Sequence, residues 1–256
     1  MESLRNKLVC ITGASAGIGE ACAEQFARLD TRLLLMARRR ERLTALASRL
    51  SEDHGVAVHT VELDVRNQAG VEHAFASLPD AWKEIDILLN NAGLSRGLDK
   101  LYEGSVSDWD EMIDTNIKGL LYVTRAVLPD MVKRNRGHVI NLGSIAGRDV
   151  YPGGNVYCAT KFAVVGLTRA LKMDLHGTDV RISSVDPGLV QTEFSEVRFH
   201  GDTERAGKVY TGTTPLTATD VAECVVFCAT RPPHVNINEM VMMPVVQAST
   251  TMLKRG

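Results

Sequence analysis

The chain has no excess of charge of either sign. It carries 29 Lys and Arg against 31 Asp and Glu over 256 residues, a formal net charge of −2. That balance lacks the basic footprint of a nucleic-acid or anionic-membrane binder, so neither partner is expected. Long hydrophobic runs are also missing. No stretch approaches the roughly 20 apolar residues of a membrane span. The polar start Met1-Glu2-Ser3-Leu4-Arg5-Asn6-Lys7 predicts no secretory leader. There is no Asn-x-Ser/Thr sequon. Cysteine is sparse and odd in number: Cys10, Cys22, Cys158, Cys224 and Cys228 are scattered, which argues against a disulfide framework. Cys224 and Cys228 stand four apart on a predicted helix. No further Cys or His follows at ligand spacing, so no metal site is expected. Reduced core thiols in a cytoplasmic, reducing setting are the expectation.

What is present is an alternating rhythm on an ordinary composition, 45% hydrophobic and 23% charged. Short apolar runs predict strands at Lys7–Thr12, Arg32–Ala37, Val56–Glu62, Ile85–Asn90, Gly137–Leu142, Val180–Val185 and Glu239–Met243. Amphipathic stretches predict helices at Ile18–Leu29, Arg39–Asp53, Gln68–Leu78, Val106–Arg134, Val156–His176 and Ala218–Thr230, the fourth being two helices or one bent helix. Strands alternating with helices imply βαβ units and a parallel sheet. Strands that are apolar almost throughout imply that both sheet faces are covered. No linker interrupts the pattern, so residues 1–256 are read as one α/β domain with a seven-stranded sheet. One segment breaks the rhythm, from Gly188 to Pro215. Connections of that length are usually functional. It carries Glu193, Phe194, Arg198, Phe199 and Tyr210, and residues 189–215 are read as a substrate lid.

The first strand runs into Thr12-Gly13-Ala14-Ser15-Ala16-Gly17-Ile18-Gly19, with a helix behind it. Glycines there permit a tight turn and close backbone approach to a pyrophosphate seated at a helix N-terminus. The second strand ends in Arg38-Arg39-Arg40 with no acid before Glu41. An acid at this point holds a ribose 2′-hydroxyl, whereas guanidinium forks suit a 2′-phosphate. The pattern predicts NADP rather than NAD, with at least one of the three arginines merely solvated.

Tyr157-Cys158-Ala159-Thr160-Lys161 puts a phenol and an ammonium four apart on one helix face. A free tyrosine, with a pKa of ~10, is a poor acid or base near neutrality. A nearby cation favours the phenolate, and a lowering by ~3 units corresponds to ~4 kcal/mol of differential stabilisation. A phenol tuned in this way can exchange a proton with a substrate oxygen.

Taken together, Thr12–Gly19, Asp64-Val65, Asn90-Asn91-Ala92-Gly93, Asn116, Ser144, Tyr157-x-x-x-Lys161 and Asp186-Pro187-Gly188 resemble the short-chain dehydrogenase/reductase family over essentially the whole chain. The resemblance implies a Rossmann-like, doubly wound sheet with helices on both faces. It implies Tyr157 as the acid/base, Lys161 on the nicotinamide ribose depressing the Tyr157 pKa, Ser144 on the substrate oxygen, and Asn116 holding a water that links Lys161 to solvent. Gly13, Ser15, Ala16, Gly17, Ile18 and Gly19 would form the cradle. Arg38 and Arg39 would meet the 2′-phosphate, and Asp64 and Val65 would flank adenine. Asn91, Ala92 and Gly93 would line the cofactor, with Pro187, Gly188, Val190 and Thr192 at its nicotinamide end.

Two departures stand out: Cys158 follows the tyrosine where Ser is frequent, and the Asp-Gly-Gly ending common in the family is absent. The ending His234-Val235-Asn236-Ile237-Asn238-Glu239-Met240, with Gly143–Pro152 and Pro187–Ser195, is similar to members that oxidise small 3-hydroxy acids with NADP. The implied substrates are serine, allo-threonine, 3-hydroxyisobutyrate and 3-hydroxypropionate. Arg148, four residues beyond Ser144, is the first candidate for the substrate carboxylate and Arg198 the second; Glu193 is the candidate for an ammonium. A carbonyl or 3-oxoacyl reductase using NADPH, and a non-catalytic NADP-binding regulator, stay open as alternatives. By resemblance the chain is expected to be a homotetramer acting on a small-molecule substrate.

Overall fold

The computed structural model describes residues 2–256. Its strands are β1 (Leu8–Thr12), β2 (Arg32–Ala37), β3 (Val58–Glu62), β4 (Ile87–Asn90), β5 (Gly137–Leu142), β6 (Val180–Pro187) and β7 (Glu239–Met242). They form one sheet in the order β3-β2-β1-β4-β5-β6-β7, with every neighbouring pair parallel. The order reverses direction between β1 and β4. In an open α/β sheet the crevice for a ligand lies there, beyond the carboxyl ends of the strands. The Rossmann-like expectation holds.

Successive side chains of a strand point to opposite faces, and each strand feeds two cores. Val9, Ile11, Leu33 and Leu35 pack on one face with Phe26 of helix α1 (Gly17–Ala27) and with Val221 and Val225 of a helix near the C-terminus, Ala218–Ala229. Cys10, Leu34, Met36, Leu88 and Val139 pack on the other face with Val123 and Met131. This double burial is why the strands lack a polar alternation.

The remaining helices are α2 (Arg40–His54), α3 (Gln68–Ala76), α4 (Val106–Ile113), α5 (Leu120–Lys133), α6 (Asn155–Asp174), α7 (Phe194–Arg198), α8 (Thr203–Lys208) and α9, the Ala218–Ala229 helix. The expected stretch Val106–Arg134 is a single helical run, with a π-helical turn at Asp114–Gly119 joining α4 to α5. The segment expected as a long loop is not structureless, since α7 and α8 lie inside it. Among the described residues no helix is long and apolar enough to cross a membrane.

Candidate active site

A cavity of about 630 Å³ opens at the carboxyl ends of β1, β4, β5 and β6, within the usual size of a small-molecule site of roughly 300–1,000 Å³. Its floor is the glycine loop. Gly13 and Gly17 have φ of +66° and +56°, and a Cβ on Gly13 would lie 2.9 Å from the Ala92 Cα. Ala16 caps α1 without a side-chain hydrogen bond, so the first N–H groups of the helix are left for an anion. Asn91 holds the loop in place: its Nδ2 donates to the carbonyls of Thr12 (2.9 Å) and Gly13 (3.1 Å). The Thr12 hydroxyl accepts the N–H groups of Asn91 and Ala92 at 3.1 Å each. A backbone cradle that side chains would fill, with an uncapped helix end, fits a dinucleotide pyrophosphate.

The sequence-predicted residues converge on this cavity. Gly13, Ser15, Ala16, Gly17 and Ile18, Arg38 and Arg39, Asp64 and Val65, and Asn91, Ala92 and Gly93 all line it. So do Pro187, Gly188, Val190 and Thr192, and Ser144, Tyr157, Lys161, Glu193 and Arg198. Gly19, Asn116 and Arg148 are not on its wall. Gly19 instead packs α1 against the turn, where a Cβ would strike the Gly13 carbonyl. Sequence reasoning missed Tyr151 and the C-terminal residues Gln247, Thr250, Leu253 and Arg255, which also line the cavity. No local pattern marks the C-terminal residues, because the chain end reaches the site only through the fold.

The catalytic candidates sit on three elements. Ser144 follows β5, and its Oγ accepts the Ala146 N–H at 3.1 Å. Tyr157 and Lys161 face inward from α6, buried at 8% and 7% exposure. Asn116 lies in the π-helical turn behind them, a backbone feature common at functional sites. Its Oδ1 accepts the Leu94 N–H (2.9 Å), while its Nδ2 donates to the Leu94 carbonyl (2.8 Å) and to Thr160 Oγ1 (3.0 Å). One Oδ1 lone pair is what that side chain retains for a water.

The electrostatics differ from the expectation in one respect. Burial raises the Tyr157 pKa above its ordinary value; the Arg198 guanidinium is the first group opposing that rise, followed by the Ser144 hydroxyl. Arg198 lies 5.4 Å from the Tyr157 ring centroid. Lys161 donates to the Leu142 carbonyl at 2.9 Å, and its ammonium is 5.9 Å from the same centroid. In this geometry Arg198 partly offsets the rise at Tyr157, while the Lys161 ammonium is turned to the Leu142 carbonyl. Cys158 is 1% exposed and burial raises its thiol pKa, which makes it a packing residue.

Burial also pulls the Lys161 ammonium down from 10.5 to about 8. Below pH 8 both the folded and unfolded chains hold that proton, and the folded chain bears the full penalty of a buried charge. Between pH 8 and 10.5 the unfolded chain holds it more often, so the stability attributable to this group rises with pH. Lys161→Met is therefore expected to gain most over the wild type near pH 7 and to lose that advantage toward pH 10. Denaturant unfolding without cofactor at both pH values checks this, and a pH-independent difference would contradict it.

Two expectations about substrate contacts are corrected. Arg148 is committed to the protein: its Nη2 pairs with Asp186 Oδ2 (2.5 Å) and Glu239 Oε2 (2.6 Å), and its Nε donates to Asp186 (2.9 Å). A guanidinium held on both edges has no fork left for a substrate carboxylate. Glu193 borders the cavity, but its carboxylate is gripped by Arg39 (2.8 Å) and Arg42 (2.6 Å) rather than left for an ammonium. Arg198 is different. Its Nη2 donates to the Tyr151 hydroxyl at 3.0 Å, its guanidinium stacks 5.1 Å from the Phe194 ring, and its buried Nε has no hydrogen-bond partner among the described residues.

Such a doubly wound sheet, with a glycine cradle at its switch point and Ser144, Tyr157 and Lys161 lining the same cavity, defines a dinucleotide-dependent oxidoreductase. Residues 7–202 match the short chain dehydrogenase family, and the chain belongs to that family. It is 54% identical to an NADP-dependent 3-hydroxy acid dehydrogenase of Salmonella typhi, over 94% of this chain and 96% of that one. It is 46% identical to sulfoacetaldehyde reductase 2 of Chromohalobacter salexigens, over 94% and 95%. Among solved structures, a closed form of serine dehydrogenase complexed with NADP+ superposes with a TM-score of 0.91 at 49% identity, covering 97% of this chain and 99% of that one.

Proposed function

We propose that this chain is an NADP-dependent dehydrogenase that oxidises the β-hydroxyl of small 3-hydroxy acids, serine and allo-threonine among them. The observation that carries the substrate class is Arg198. An orphaned, buried Nε beside the Tyr157 ring calls for an anionic acceptor, and a carboxylate one or two carbons from the reacting hydroxyl supplies one. The glycine cradle and Arg38 and Arg39, on the cavity wall, support NADP as the cofactor. Arg40 is exposed and off that wall.

When bound, NADP+ supplies the hydride acceptor. The protein does the rest. Arg198 orients the acid, Ser144 hydrogen-bonds the reacting oxygen, and Tyr157 takes its proton. Lys161 is held by Leu142 beside that phenol, and Asn116 pins the Leu94 and Thr160 segments between which the site is formed. Residues 189–215 act as the lid. Exposed Leu121 and Val132 on α5 and Phe162 on α6 support the homotetramer, which the mass in solution reads, and five unpaired cysteines support a cytoplasmic setting.

Absorbance at 340 nm, with NADP+ and with NAD+, tests the reading against serine, allo-threonine, 3-hydroxyisobutyrate, 3-hydroxypropionate and an uncharged secondary alcohol. Arg198→Leu is expected to lower kcat/KM on the acids by roughly thirtyfold more than on the alcohol, the ~2 kcal/mol of a charge-assisted hydrogen bond, because the loss of the cation beside Tyr157 is common to both. Equal losses would remove Arg198 from recognition. The second reading, a reductase of a small anionic aldehyde, is favoured by the same guanidinium, since a sulfonate satisfies it as well; sulfoacetaldehyde with NADPH belongs in the panel.

A further inference from the structure

The carboxylate of Glu193 is paired with Arg39, one of the two arginines on the cavity wall that support a 2′-phosphate, and with Arg42 of α2. Glu193 is at the start of the lid, immediately before α7, yet it reaches back to the end of β2. Arg39 Nη1 donates to its Oε2 at 2.8 Å and Arg42 Nη1 to its Oε1 at 2.6 Å. The same Arg39 touches the glycine loop through Nε, which donates to Ser15 Oγ at 3.2 Å. The neighbouring lid residue closes the other side of the cradle: Thr192 Cβ stands 3.3 Å from where a Cβ on Gly17 would be. The lid thus begins as a strap across the phosphate cradle, fastened by one carboxylate to two arginines. The two guanidiniums also hold that carboxylate ionised, with its pKa below the ordinary range.

We infer that Glu193 is a specificity-determining latch that competes with the cofactor's 2′-phosphate for Arg39, so that NADP, and not NAD, displaces the Glu193 carboxylate from that guanidinium. The inference rests on the NADP reading above. Two anions cannot share the one Arg39 guanidinium edge, and the more highly charged phosphate displaces the carboxylate. A cofactor with a 2′-hydroxyl has nothing to exchange for it and leaves the strap fastened. Glu193 therefore weakens NADP binding by the fraction of molecules in which the latch is closed.

The test is Glu193→Gln, which keeps the side-chain shape and removes the charge. Dissociation constants of NADPH, NADH, 2′-AMP and 5′-AMP are measured without substrate, by fluorescence for the dinucleotides and calorimetry for the mononucleotides. The variant is expected to bind NADPH and 2′-AMP about three- to tenfold more tightly, the size two half-exposed ion pairs sustain, with NADH and 5′-AMP within twofold. Unchanged or weaker NADPH binding by the variant, with the wild type still preferring NADPH, overturns the latch alone. A wild type that prefers NADH overturns the latch and the cofactor reading together. An equal gain for 5′-AMP shows a general charge effect and also overturns the latch.

Discussion

Replacing Tyr157 with Phe is expected to lower turnover about a thousandfold or more while NADPH binding stays within about twofold, since positioned acid–base groups contribute roughly 10²–10⁴. The change deletes one oxygen and keeps the ring, which packs edge-on against Phe194 at 5.6 Å in a cluster with Leu94 and Met112. No cavity is created and little stability is lost. The phenol stands within 6 Å of the Arg198 guanidinium, which favours its ionised form. Turnover at 340 nm and a fluorescence titration with NADPH separate the two effects. Parallel losses in both would show that the hydroxyl is structural.

Removing Arg148 is expected to cost about 2–4 kcal/mol of stability, somewhat less than the roughly 3–5 kcal/mol of a fully buried pair that loses one partner, because Arg148 is 27% exposed. Asp186 is 0% exposed. Without Arg148 its carboxylate keeps, among the described residues, only the Ser184 hydroxyl as a side-chain partner. Glu239 is less affected because Arg169 also holds it, at 2.7 Å. Those two arginines, Arg169 first, depress the Glu239 pKa from 4.5 to about 2. The wild type should therefore lose this pair's contribution as pH falls through that interval. For Arg148→Ala, denaturant melts give the stability loss, and kinetics give its meaning. If Arg148 braces the β5–β6 edge, kcat/KM falls by the same factor on serine and on an uncharged secondary alcohol. A loss confined to the acids would return Arg148 to the role of carboxylate ligand.

The parts of the site legible in the sequence are those that local geometry controls. Tyr157 and Lys161 share a face because a helix turns every 3.6 residues, and Thr12–Gly19 reads as a cradle because a strand, a glycine turn and a helix are consecutive. The alternation of strands and helices gave the sheet with its strand ends displaced by two residues or fewer. The arginines were not legible in the same way. Arg148 finds Asp186 and Glu239 at separations of 38 and 91 residues, and Arg39 finds Glu193 at 154. A long flexible cation is read by the carboxylates that surround it, and spacing along the chain says nothing about those.

The sequence by itself determined the α/β class, the parallel sheet, the glycine turn and the placing of Tyr157 and Lys161 on one helix face, because each follows from periodicity or from neighbours within a few residues. Only the tertiary structure decided which cation faces the phenol, which one braces the sheet and which ones the lid carboxylate engages. The physical reason is that a guanidinium's task is set by the anion nearest to it in space, and folding brings that anion from a distant part of the chain.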